Sequence, residues 1–135
     1  MSFAQRKLRY REGGFTLIEM IIVIALIAIL VAIAVPIYKT HLLRAREAVL
    51  KEDLFTLRQS IDQYTQDKDR APQALEDLVG AGYLRVVPKD PFTASANWQT
   101  VQEDVVQSPE QQPGITDVHS SSNLLSSDGT AYSSW

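Results

Sequence analysis

From Phe15 to Val35 the chain carries a single charged residue, Glu19, in a run that is otherwise almost wholly apolar. An acidic side chain costs about 2.5–3.5 kcal/mol at the centre of a membrane helix and less near its end, so a chain that keeps one needs something to pair with it. Extended to Tyr38 the segment has about 24 residues, or roughly 36 Å of helix, enough to cross a hydrocarbon core of about 30 Å. Arg6, Lys7, Arg9 and Arg11 precede it and would hold that end on the cytoplasmic side.

The 135 residues suggest one domain, and outside the apolar run only a hundred or so remain to build a small soluble core. There is no cysteine, so no disulfide staples that core. Packing, a metal ion or neighbouring subunits must hold it instead. The net charge of -3 is unevenly spread: from Phe15 onward 9 Lys and Arg face 15 Asp and Glu. A basic leader on an acidic body reads as a topology signal and argues against direct nucleic-acid binding.

Along the chain, residues 1–14 are a polar, basic leader ending in Gly13-Gly14, and 15–38 form the hydrophobic helix. Pro36 lies near its end and should kink it or loosen the preceding turn. Residues 39–70 resume as an amphipathic helix. Leu50, Leu54, Leu57, Ile61 and Tyr64 form a narrow apolar stripe, and Arg46, Glu47, Lys51, Glu52, Arg58, Asp62 and Gln63 occupy the other faces. The helix should stop near Asp67–Arg70, ahead of Pro72. Residues 71–135 then form a small globular region. It comprises a helical turn at Leu75–Val79 capped by Gly80 and Gly82, an extended piece from Tyr83 to Val87, and a proline-bounded loop, Pro88–Phe92. Short strands are expected near 97–102, 104–107 and 115–119, and a turn at Asp128-Gly129. A disordered tail is the alternative, but Trp98, Tyr132 and Trp135 are rings that a solvated tail seldom carries.

The basic leader, Gly14, Phe15 and Glu19, followed by an apolar helix, resemble the class III signal of type IV pilins and type II secretion pseudopilins. The resemblance implies cleavage between Gly14 and Phe15 by a prepilin peptidase, methylation of Phe15 as the new N-terminus, and Glu19 as the fifth mature residue. Pro36 then stands at the family's usual proline. Physically, an anionic Glu19 in lipid can be neutralised by the α-ammonium of Phe15 on a neighbouring subunit. The alternatives are that Glu19 protonates or reaches the headgroups. An ordinary secretory signal would instead be cut after Ala32-Ile33-Ala34.

Leu75–Leu78, Gly82-Tyr83-Leu84 and Pro88-Lys89-Asp90-Pro91-Phe92 resemble the central region of the major pseudopilin of type II secretion, with Phe92 where that family commonly has Trp. Major pseudopilins bind calcium in the C-terminal loop that many type IV pilins close with a disulfide. By that resemblance Pro113-Gly114, Asp117, Ser120 and Asp128-Gly129 correspond to the calcium loop, although Ser121–Ser127 is longer than its counterpart and Thr130-Ala131-Tyr132 follows in place of a second glycine pair. Asp117, Ser120 and Asp128 are therefore the candidate Ca²⁺ residues, oxygen donors of the kind that ion takes. Ordinary turn aspartates are the competing reading. No other cofactor is implied. His41 and His119 are far apart in sequence, Asp117-Val118-His119 shares a strand face for trivial reasons, and the serine-rich end holds no nucleophile motif.

The resulting expectation is an α+β, pilin-like fold: a long N-terminal helix, membrane-spanning in its first half, packed on a small C-terminal antiparallel sheet. The function expected is that of a non-enzymatic subunit of a helical filament, the major pseudopilin of type II secretion. It would be held in the bacterial inner membrane with a periplasmic C-terminal domain. Its partners would be copies of itself, the prepilin peptidase, minor pseudopilins or pilins, and an inner-membrane assembly platform. A type IV pilin for adhesion, motility or DNA uptake, and a non-polymerising membrane-anchored binding module, are the alternatives.

Overall fold

The computed structural model describes residues 13–103 and 113–135. Most of the basic leader, including Arg6, Lys7, Arg9 and Arg11, and the strand expected at 104–107 lie outside the described residues. The elements are helix α1 (Leu17–Lys68), helix α2 (Leu75–Gly80), strand β1 (Gln99–Glu103), strand β2 (Gly114–His119) and a 3-10 turn at Tyr132–Ser134. The architecture is the expected long helix with a small antiparallel sheet. Two compact units divide between Lys39 and Thr40.

In the first unit the chain is a single helical stretch. Its side chains from Leu17 to Tyr38 are exposed, Leu17 at 82%, Leu30 at 67% and Tyr38 at 67% among them. An 18-residue window of α1 has mean hydropathy 3.3, so the helix is long and apolar enough to cross a membrane. A continuous exposed surface of this kind is not one that water tolerates on a monomer. α1 remains helical through Pro36.

In the second unit the stripe does what its 4-3-4-3 spacing requires. Leu50, Leu54, Leu57, Ile61 and Tyr64 are buried, and they meet Leu75 and Leu78 of α2, Trp98, Ile115 and Val118 of β2, and Tyr132. Each large apolar side chain fully buried here contributes about 1.5–3 kcal/mol. α1 stops at Lys68 because Asp69 turns to φ 51, a left-handed conformation that aspartate tolerates, and Pro72 follows three residues on.

α2 begins where the Asp77 carboxylate accepts the Gln73 and Ala74 backbone N–H groups at 2.9 and 3.0 Å. It ends at Gly80, and Gly82 at φ 84 turns the chain away. The Tyr83 and Leu84 N–H groups then both close onto the Leu78 carbonyl, at 2.9 and 3.2 Å. This corrects the expectation of an extended piece at 83–87. Its first donors are used by the helix end, and the segment bends without pairing to a strand.

β1 and β2 pair antiparallel, Gln99 opposite His119 and Glu103 opposite Gly114, with a bulge after Val101. Gly114 opens β2 against the chain that leaves α1. A methyl group there would lie 2.7 Å from Ala71 Cβ and 2.8 Å from the Ala71 and Pro72 carbonyl oxygens. Ile115 N–H donates to that same Pro72 carbonyl at 2.8 Å. Two backbone segments therefore touch where only glycine fits. Gly114→Ala should destabilise the full chain in detergent by about 1–3 kcal/mol. Circular-dichroism melting would read this as a midpoint lower by roughly 4–8 °C per kcal/mol.

Candidate functional site

The N-terminal motif is built on a helix start. Thr16 Oγ1 accepts the Glu19 N–H at 3.2 Å and the Thr16 carbonyl accepts the Met20 N–H at 3.1 Å, so Thr16 caps α1. Thr16-Leu17-Ile18-Glu19 is the T-x-x-E pattern of a capping box, a signal the sequence carries independently of any family. A carboxylate in the first turn also suits the partial positive charge of a helix N-terminus. Phe15 is 79% exposed, and Glu19, four residues on, is exposed as well. A Cβ added at Gly13 or Gly14 meets nothing within 4 Å, so packing within this chain does not demand glycine at either position.

The second cluster joins the C-terminal segment to α1. Glu47 is 6% exposed although it is an acid. Its carboxylate accepts the Ser127 N–H at 2.6 Å, the Ser127 hydroxyl at 2.7 Å and the Tyr132 hydroxyl at 2.8 Å. Burial raises its pKa, but these bonds and nearby Lys51 outweigh that, and the carboxyl titrates below its ordinary 4.5. Tyr132 is pushed up to about 12 by burial and by Glu47, so its hydroxyl stays a donor. Its ring stacks on Phe92 at 3.9 Å, and Trp135 meets it edge-on at 5.1 Å. Three helical turns along α1, Arg58 donates to Asp117 Oδ1 at 2.6 Å and to the main-chain oxygens of Val118 and Trp135 at 2.9 Å each. Asp117 is partly buried, which raises its pKa, but the Arg58 hydrogen bond leads the effects that bring it below its usual value. Lys51 sits 4.6 Å from the Trp135 ring centre.

The residues expected to hold calcium are each placed differently. Asp117 pairs with Arg58, and its second oxygen lies 3.4 Å from His119. Ser120 is buried and donates to Asp90, and its oxygen accepts the Ser122 N–H. Asp128 is exposed in the Ser126–Gly129 turn, where Gly129 takes φ 82. The Asp128-Gly129 turn is thus present, while Asp117 and Ser120 are engaged by Arg58 and Asp90. Among the described residues no group of three or more His, Asp or Glu side chains is placed to hold a metal. As arranged, these side chains do not fit the ion.

Glu47 and Arg58, set among the outward polar residues by the periodicity argument, both work inward. For Glu47 the signal was present: 47, 50, 54, 57, 61 and 64 keep one helical phase, so an acid stands in line with the apolar stripe. Arg58 announces nothing in sequence, because its partners are 59 to 77 residues away.

The prokaryotic N-terminal methylation motif matches residues 9–35. The chain is 32% identical over 98 residues to type II secretion system core protein G of Klebsiella pneumoniae, covering 61% of this chain and 70% of that one. It is likewise 32% identical over 100 residues to the core protein G of Pseudomonas aeruginosa, covering 62% and 70%. It is 39% identical over 91 residues to a fimbrial protein of Moraxella nonliquefaciens, covering 62% of this chain but 59% of the relative. No solved structure matches the chain.

A depressed pKa at Glu47 means that its anion stabilises the fold above pH 4.5 and that this contribution is lost as pH falls through the folded-state value. Asp117 acts with the same sign. Stability of the full chain in detergent should therefore drop in acid. Glu47→Gln should weaken the chain at neutral pH and flatten part of that drop, as melting curves across the acid range would measure.

Proposed function

The chain belongs to the family of type II secretion system core protein G, and from that premise we propose that it is the major structural subunit of a secretion pseudopilus. It acts without catalysis. The observation that carries this reading is the exposed apolar surface of α1 from Leu17 to Tyr38, entered at a single carboxylate. Lipid covers such a surface before assembly, and the same surface of neighbouring copies covers it afterwards.

In this reading the N-terminus is inserted facing the cytoplasm, the C-terminal domain faces the periplasm, and the prepilin peptidase cuts between Gly14 and Phe15. Glycine suits the site because a bare backbone is accessible to the enzyme, and nothing in the fold requires it there. Phe15 then becomes the methylated terminus. Its ammonium meets Glu19 of an adjacent copy, and each such contact removes two uncompensated charges from a low-dielectric medium. Because the contact is head-to-tail and does not close, it propagates a filament. Pro36 gives α1 a place to bend as helices pack in the fibre centre. Minor pseudopilins and an inner-membrane platform start and drive the growth that moves folded cargo outward. A surface pilus is the second reading, favoured by the fimbrial relative.

N-terminal sequencing of the protein from cells with the active peptidase should return Phe15; a chain still starting at Met1, or one starting at Val35, contradicts the reading. Glu19→Ala leaves the Phe15 ammonium unpaired at a cost of about 3–5 kcal/mol per contact, so fibres should be lost while the subunit remains in the membrane. Electron microscopy and membrane fractionation check the two halves. Deletion of the chain should stop secretion if the fibre is a pseudopilus and spare it if the fibre is a surface pilus.

A further inference from the structure

We infer that Arg58 occupies the role of a cation in the C-terminal segment, so that the fold of residues 117–135 is fastened to α1 by side chains and needs no metal ion. The inference concerns the head of the molecule and holds whether or not the chain polymerises. A hard divalent cation works by gathering carboxylate and carbonyl oxygens from separate stretches of chain. The Arg58 guanidinium gathers that kind of set: one carboxylate oxygen of Asp117 and the main-chain oxygens of Val118 and Trp135, at 2.6, 2.9 and 2.9 Å. These oxygens come from β2 and from the far end of the segment, so one planar fork joins both to α1.

A second fastening of opposite charge lies on the same helix face. Glu47 and Arg58 are eleven residues apart, close to three full turns, which puts them in line about 16 Å apart. Where Arg58 collects oxygens, Glu47 collects donors from Ser127 and Tyr132. Between them Lys51 covers the Trp135 ring. A third tie, Ser120 to the buried Asp90, fixes the start of the segment, just after β2, to the Pro88–Phe92 loop. The side chains of Asp117 and Ser120, two of the three expected calcium residues, are thus held by partners within the chain. An internal guanidinium cannot dissociate, so the segment keeps its fold irrespective of free calcium, whereas a metal-held loop gains stability with ion concentration.

The test is thermal unfolding of the full chain in detergent, with millimolar Ca²⁺ and with chelator. Equal midpoints are expected for the wild type. Arg58→Lys, which keeps the charge and loses the fork, should lower the midpoint by roughly 5–10 °C in both buffers, the shift that loss of one or two charge-assisted hydrogen bonds produces in a head of this size. Tyr132→Phe should lower it by a smaller amount, and it keeps the test readable if Arg58→Lys does not fold. A wild-type midpoint that rises with Ca²⁺, or Arg58→Lys and Tyr132→Phe both melting like the wild type, overturns the inference.

Discussion

One carboxylate at the mouth of an apolar helix sets the terms for this molecule. Glu19 stands in the first turn of α1, behind the Thr16 cap, and the side chains that follow to Tyr38 are exposed. A helix terminus offers partial positive charge, which eases the cost of an acid there without cancelling it once water is gone. In the proposed reading a full positive charge near that position would come from a new amino terminus at Phe15, supplied by the next copy in the filament. Processing, membrane insertion and assembly thereby become successive answers to one electrostatic problem.

The same helix then changes solvent and trade. From Glu47 to Tyr64 its inward face alternates apolar packing with polar fastening: Leu50, Leu54, Leu57 and Ile61 bury surface, while Glu47 and Arg58 hold the distant C-terminal segment by charge-assisted hydrogen bonds. A domain of this size without disulfides has a small core. It gains definition by making buried Glu47 and half-buried Arg58 each answer several groups at once. Gly114 completes the arrangement by letting β2 approach the backbone of Ala71 and Pro72.

What was legible in the sequence followed from local rules. The apolar run, the proline at 72 and the 4-3-4-3 stripe depend on neighbours within a few residues, and they located α1, its end and half of the core. The rings of Trp98, Tyr132 and Trp135 marked a packed rather than solvated end, and their contacts bear that out. The segment 83–87 is not extended as expected, because its residues do not show which carbonyl takes the first two donors; the end of α2 takes them. The partners of the expected calcium residues were hidden for a related reason. Asp117 looks like a free ligand until Arg58, fifty-nine residues earlier, is known to face it. Long-range pairings of this kind leave no periodic trace, although Glu47, in phase with leucines, left a visible one.

The central claim is that Glu19 of one subunit meets the amino terminus of another. Solid-state NMR of fibres co-assembled from two populations, one labelled with ¹³C at the Glu carboxylates and the other with ¹⁵N at the Phe nitrogens, measures that contact between subunits directly. The account predicts magnetisation transfer at ion-pair range, roughly 4 Å or less, between the Glu19 carboxylate and the Phe15 nitrogen. Intact fibres showing no such transfer would contradict it.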